Sequence, residues 1–525
     1  MASALPTVTL TGGDVTRTLL TTGTLDALAV PVGPAGDGDD ALTPWPGTAQ
    51  AAARFGIDLA ELAERAGLTG AAGQAHVVAL PRAVGSAVHL PWYDLPPRLV
   101  LLGTGGRTVA DLRRAGAALV GAGRGLGTIA ATLPTRDADS ASQQAQVLRA
   151  LVEGYLLAAY PPFTAGKADP APAAALLLLG PDGTRAQAAL AAARAFAQAT
   201  WLARDLTATP SSTKNPAWLA AQASRRARAA GLEVEVLGPQ RLAAEGFGGL
   251  LAVGGGSASS PRLVRLTHAP QVAGARHVVV VGKGITFDTG GISLKPRESM
   301  VTMKTDMAGA AVALATVLGA AALGVPHRVT AVLACAENHL GAASYRPGDV
   351  VQVHGGRTVE VTNTDAEGRI VLADALDWAV TALAPDVLVD VATLTGAAKV
   401  ALGLGTGALF SDDDPLADAL TAAGSAAGEP VWRLPLVDDY EQYLVSQVAD
   451  VRQESNDRRA GAGAVLAAMM LRRFAGRPGE PVPWAHLDIA GPARSSSSHD
   501  EVPEGATGFG VRLLLTWLSA PALAV

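Results

Sequence analysis

Cysteine is almost missing from this chain of 525 residues. Cys335 is the one copy, which excludes an internal disulfide and a thiolate-ligated zinc cluster. Charge is scarce too, at 17% of residues, and the formal net charge of −6 argues against a general nucleic-acid or anionic-membrane surface. With 49% hydrophobic residues, so little charge describes a chain that buries a core rather than a disordered one. Met1 to Val15 holds no Lys or Arg and no apolar run after a basic start, so no secretory signal is expected and the cytoplasm is the expected compartment. Met307 to Pro326 carries no charge, but it is mostly Ala, Gly and Val. It reads as a buried helix rather than a membrane span, and no membrane partner is expected.

Several catalytic signatures are also missing. Gly282-Lys-Gly284 has Phe287 where a dinucleotide fingerprint needs a third glycine, and Gly103-Thr-Gly105 has Thr108 there. No phosphate-binding G-x-x-x-x-G-K-[ST] loop occurs, no G-x-S-x-G elbow, and no H-E-x-x-H pair among nine histidines.

The length exceeds one typical core, so two domains are expected. In the first part, short β-rich runs (7–10, 25–32, 75–80, 98–102 and 174–179) alternate with Ala-rich helical runs at 49–66 and 109–121. A Pro- and Gly-dense break follows Tyr160, and 183–205 has the composition of one long connecting helix. The second part has candidate strands at 232–237, 277–282, 328–335, 350–353 and 387–391, with helices at 308–323 and 372–384. The expected fold class is α/β, with a smaller N-terminal α/β domain over 1–180, a connecting helix over 181–207 and a larger catalytic domain over 208–525. In the last of these a mixed sheet is flanked by helices.

Two polar clusters stand out. Residues 363–369 read Asn-Thr-Asp-Ala-Glu-Gly-Arg. An extended backbone would aim Asp365, Glu367 and Arg369 the same way, making a metal-and-anion site. A solvated polar loop is the plain alternative for these seven residues alone. Upstream, Lys283, Asp288 and Lys295 follow the strand at 277–282, where α/β sheets gather functional groups, and Asp306 opens the apolar helix. For Asp306 by itself, complementing the helix dipole is an adequate account.

Taken together, Gly-Lys-Gly-Ile-Thr-Phe-Asp-Thr-Gly-Gly-Ile-Ser-Leu-Lys (282–295) and Asn-Thr-Asp-Ala-Glu-Gly-Arg (363–369) resemble the leucyl aminopeptidase, or cytosol aminopeptidase, family. Supporting segments are 303–307, 336–338, 346–350, 392–397, 432–436 and 484–491. The likeness is close over about 204–515 and holds only in outline before that.

The resemblance implies a metal-dependent aminopeptidase that removes the N-terminal residue of peptides by attack of a metal-bridging hydroxide. Asp288 and Glu367 would bridge two divalent ions, Lys283 and Asp306 would complete one site, and Asp365 the other. Lys295 would polarise the scissile carbonyl, and Arg369 would hold a bicarbonate as general base. Met303, Thr393, Leu394, Gly396 and Ala490 would contact the substrate. Carboxylates with one amine and no thiol suit zinc or manganese, and also magnesium or cobalt. Lys283 can ligate only when neutral, which two adjacent dications favour. The family also implies a homohexamer, with an oligomer or accessory role for the N-terminal domain.

The chain departs from the family pattern at Pro492 and Ala493, at 204–216, where the usual Asn before the first Pro is lacking, and at 449–456, where a Gly-rich loop is usual. None of these touches the seven metal and catalytic positions. Two other readings compete: a DNA-binding or regulatory protein on the same scaffold, which the acidic balance makes the weaker, and a metal-free structural homologue, against which the intact set argues.

Overall fold

The computed structural model describes residues 4–13, 15, 24–36, 42–81, 90–161, 171–476, 479 and 481–523. The chain forms two compact units, one comprising Met1–Gln198 with Ser497–Glu504, the other Ala199–Ser496 with Gly505–Val525. The boundary falls inside a helix, Thr184–Ala208. The Pro- and Gly-dense break after Tyr160 lies largely outside the described residues.

The first unit is built on one sheet, in the order Thr7–Thr11, Ala175–Leu179, Thr128–Thr132, Ala27–Gly33, Arg98–Gly103, Ala75–Ala79. All neighbours in this order are parallel except the edge strand Ala75–Ala79, and the short strand Thr43–Pro44 pairs antiparallel with Ala27–Gly33 off this path. The single helix expected over 49–66 is instead two, Thr48–Phe55 and Leu59–Arg65. Gly56 adopts a left-handed φ of 64°, and the Asp58 side chain caps the second helix by accepting from the Ala60 and Glu61 amides. The helix Val109–Ala122 opens on a reciprocal Thr108/Asp111 capping box.

The second unit has an eight-stranded mixed sheet. Its order is Val431–Arg433, Gly407–Phe410, Trp484–Asp488, Val387–Ala392, His277–Asp288, Arg328–Asn338, Arg262–His268, Glu233–Leu237. The four central strands, from Trp484–Asp488 to Arg328–Asn338, run parallel. Their residues are largely buried on both faces, which is why a stretch such as Val278–Val281 is apolar without alternation. The uncharged helix Ala308–Leu323 packs on these strands and is buried over most of its length.

Two elements differ from expectation. The strand expected at 350–353 lies in a separate three-stranded sheet, Val350–Gln352, Thr358–Glu360 and Val451–Arg452. The helix expected from 372 begins five residues earlier, at Glu367, and runs to Trp378 before a π turn over Ala379–Leu383.

Candidate active site

Because the four central strands are parallel, their carboxyl ends open on one edge of the sheet, where α/β folds place their sites. Asp288, Asn338, Ala392 and Asp488 are the last residues of these strands. The helix Ala308–Leu323 approaches closely, since a Cβ at Gly309 would lie 2.0 Å from the Val391 carbonyl oxygen. That approach carries Asp306, two residues before the helix, to Lys283.

The buried Lys283 amine donates to Asp306 Oδ1 at 2.9 Å and to the Thr393 carbonyl at 3.1 Å, and pairs with Glu367 Oε1 at 2.8 Å. Thr393 also donates its hydroxyl to Asp306 Oδ1 at 2.7 Å. Asp306 therefore serves the cluster and makes no helix cap. Lys295 Nζ lies 2.9 Å from Asp288 Oδ2 and also pairs with Asp365. Asp288 Oδ1 accepts from the Gly290 amide and from Asn338 Nδ2, both at 2.8 Å. The same Asn338 amide donates to the Thr364 carbonyl, and Thr364 Oγ1 donates to the Gly290 carbonyl, so the 288–295 and 363–369 segments are laced together.

Burial raises the Asp288, Asp306 and Asp365 carboxyls, Asp306 most clearly, and Glu367 adds to the rise at Asp288 and Asp306. At Lys283 burial opposes the charge, but Asp306 and Glu367 outweigh it and hold the amine protonated. Lys295 is raised in the same way against its burial, by Asp288 and Glu367.

The donor set suits hard cations. Oxygens of Asp288, Asp365 and Glu367 lie within 4.8 Å of one another. Asp306 Oδ2 and Glu367 Oε2 are buried and have no hydrogen-bond partner among the described residues. Buried carboxylate oxygens without a donor are rare and costly, and a divalent ion is the partner such oxygens accept.

Six of the seven metal and catalytic positions read from sequence thus converge: Lys283, Asp288, Lys295, Asp306, Asp365 and Glu367. Arg369 bonds Gln453 and Glu454 rather than any of these six, although the Glu367 charge reaches it. Its motif is not extended, because Glu367 starts a helix, and residues two apart on a helix lie about 200° apart around the axis. Arg369 Nη1 donates to the Gln453 carbonyl at 2.7 Å, and Nη2 lies 3.7 Å from Glu454 Oε1.

Of the five substrate positions, Thr393 is on the cluster through Lys283 and Asp306. Met303 begins a 3₁₀ turn, Met303–Thr305, next to Asp306. The Leu394 and Ala490 amides are both taken by Asp488 Oδ1, at 3.0 and 3.1 Å. Gly396 opens the helix Gly396–Leu402 with open space around it. Ala493 is buried, and Pro492 accepts through its carbonyl from the Thr507 hydroxyl.

Sequence reasoning missed Gln453. Its side chain is fully buried, accepts from the Thr362 and Asn363 amides at 3.0 and 3.1 Å, and donates to the Ala366 carbonyl at 2.8 Å. The strand Val451–Arg452 pairs with Thr358–Glu360 and so carries Gln453 to the motif. The departure from the family's Gly-rich loop was the one signal available.

The family model described as the cytosol aminopeptidase family, catalytic domain, matches residues 201–515, and that of the N-terminal domain matches 38–162. A probable cytosol aminopeptidase of Micrococcus luteus is 43% identical over 532 residues, covering 97% of this chain and 98% of the relative. One from Desulfovibrio desulfuricans is 49% identical over 344 residues, 65% of this chain and 68% of that one. Among solved structures, the bottromycin maturation enzyme BotP in complex with Mn superposes with a TM-score of 0.79 at 36% identity, over 94% of this chain and 99% of that one. A tomato leucine aminopeptidase mutant gives 0.83 at 27% identity, over 98% and 97%. The chain therefore belongs to the cytosol aminopeptidase family, a family of metal-dependent aminopeptidases.

Proposed function

We propose that this enzyme hydrolyses the first peptide bond of substrates with a free N-terminus, using two divalent ions held by Lys283, Asp288, Asp306, Asp365 and Glu367. The observation that carries this reading is the pair of donorless buried oxygens, Asp306 Oδ2 and Glu367 Oε2, on either side of Lys283. When bound, the ions supply Lewis acidity and a water made nucleophilic near neutral pH. Zinc and manganese suit the donor set best, and the manganese in BotP supports that choice.

The protein's own groups do the rest. Lys283 would hold an ion through its amine in the neutral form, which two adjacent dications would favour. Lys295, on the Asp288 and Asp365 side, donates to the carbonyl oxygen as it gains charge, a kind of contact worth roughly 3–4 kcal/mol in a dry site. Arg369 holds a carboxylate-like general base, for which the family resemblance supplies bicarbonate. Thr393, Leu394, Gly396, Met303 and Ala490 form the wall against which the N-terminal side chain rests. In keeping with the family, the working form is a cytoplasmic homohexamer, with residues 1–180 in an assembly or accessory role.

The test is hydrolysis of leucyl-anilide by the purified chain, stripped of metal and then supplied with Mn or Zn. Metal-stimulated turnover is expected. Its absence for every N-terminal residue tried, from neutral to alkaline pH, would sink the reading.

A further inference from the structure

Arg369 is 8% exposed, and a guanidinium buried that far needs an anion or a set of acceptors. Its Nη1 is satisfied by the Gln453 carbonyl at 2.7 Å. Its Nη2 faces the Glu454 carboxylate at 3.7 Å, beyond the 2.7–2.9 Å of a closed charge-assisted hydrogen bond. The pair is near but open. The other carboxylates whose charge reaches Arg369, those of Glu367 and Asp488, are engaged. Glu367 pairs with Lys283, and Asp488 accepts from the Leu394 and Thr395 amides and the Thr395 hydroxyl.

We propose that Glu454 is an internal competitor for the anion place on Arg369, so that a small carboxylate-like anion binds there only when Glu454 turns away. This rests on the reading of Arg369 as the holder of an anionic base. The backbone at Glu454 is fixed from the preceding residue. Gln453 donates its amide to the Glu360 carbonyl and locks its side chain into residues 362–366. The Glu454 side chain is itself 34% exposed, so the carboxylate can swing on an anchored base. A tethered carboxylate acts at an effective concentration in the millimolar range or above. An external anion then binds with its affinity reduced by the fraction of time Glu454 leaves Arg369 open. The Glu454 carboxylate lies in the segment where the chain departs from the family's Gly-rich loop, so this competition belongs to the chain's own sequence.

The experiment titrates ¹³C-labelled bicarbonate into the zinc-loaded full-length protein and follows its NMR line width, for the unaltered chain and for Glu454→Gln and Glu454→Ala. Both variants are expected to bind bicarbonate several-fold more tightly, by the inverse of the fraction of time that Glu454 leaves Arg369 open in the unaltered chain. Leucyl-anilide hydrolysis in bicarbonate-depleted buffer should then respond more to added bicarbonate in the variants. Equal or weaker bicarbonate binding by both variants would overturn the proposal. Absence of metal-stimulated turnover in the unaltered chain strikes instead at the aminopeptidase reading, and the line-width measurement is read independently of turnover.

Discussion

The Lys214 amine donates to the Lys304 carbonyl at 2.7 Å, and the Lys304 amine donates to the Ala208 carbonyl at 2.9 Å. Lys214 also takes the carbonyls of Leu206 and Thr207, at 3.0 and 2.9 Å. These carbonyls belong to the last turn of the helix Thr184–Ala208, where they lack helical partners and where cations complement the dipole. Lys214 has no exposed surface, and burial, with the Lys304 charge adding, lowers its amine to about 7. The two lysines therefore tie a helix end to the turn Met303–Thr305, which delivers Asp306 to the site.

Lys214→Met keeps the volume and removes three donated bonds. It is expected to lower the melting temperature by several degrees and to weaken Mn binding, because the turn before Asp306 loses its anchor. Lys304→Met, at a less buried position, should act in the same direction more mildly. Calorimetric Mn titration beside a thermal melt separates the two effects. A variant that melts lower yet binds Mn normally would show that the clamp holds the fold alone.

Glu367→Gln removes one carboxylate from a crowded cluster and leaves an amide where Oε2 has no donor. Activity and metal content are expected to fall together. The unaltered chain should gain about 2.7 kcal/mol of stability at a metal concentration a hundred times the dissociation constant, and the variant should gain far less. Metal content by mass spectrometry and melts with and without Mn check this; a variant with normal metal content and rate would remove Glu367 from the ligand set.

Much of this was legible because central parallel strands need no alternation: Val278–Val281 is a plain apolar run, Val387–Val391 is apolar except for the buried Asp390, and the polar residues just beyond them had to lie at an edge. The start of the helix at Glu367 was hidden because Glu-Gly-Arg reads as loop, and the N-cap position, Ala366, makes no side-chain cap. The same misreading put Arg369 in line with Asp365 and Glu367, since the spacing that aligns side chains on a strand separates them on a helix. The Gln453 latch bonds residues 87–91 positions away, and no local pattern announces such a contact. Lys214 was equally opaque, because a lysine in a sequence suggests surface until its carbonyl partners are seen.

The folded protein should lose stability as pH falls from 6.5 to 4, in part through His277. Its ring is buried beside the Thr330 hydroxyl at 2.9 Å, and burial, then the Arg328 charge, lower it from 6.5 to about 4. Between these values the unfolded chain binds a proton that the folded chain refuses, so stability rises with pH through that window and is flat above it. Solvent screening holds the effect to roughly 1–2 kcal/mol. Urea unfolding at pH 7 and pH 5 should show a smaller difference for His277→Gln than for the unaltered chain. An identical difference in both would assign the acid sensitivity elsewhere.

Gly368 provides a test in which stability and function move apart. It is the second residue of the helix Glu367–Trp378, where alanine is favoured over glycine by up to about 1 kcal/mol. Yet a Cβ there would lie 2.6 Å from Lys283 Cε, 2.8 Å from Lys283 Nζ and 2.9 Å from Leu394 Cδ1. The lysine end is the part that can yield, and it must leave its place between Asp306 and Glu367 to do so. Gly368→Ala is therefore expected to melt at or slightly above the temperature of the unaltered chain. Its metal affinity should fall at least about tenfold, equivalent to about 1.4 kcal/mol. A lower melting temperature with intact metal affinity would mean that the helix, and not Lys283, absorbs the added carbon. Full affinity and full rate together would show that Lys283 has room to spare, and that its contacts with Asp306 and Glu367 do not set the geometry of the site.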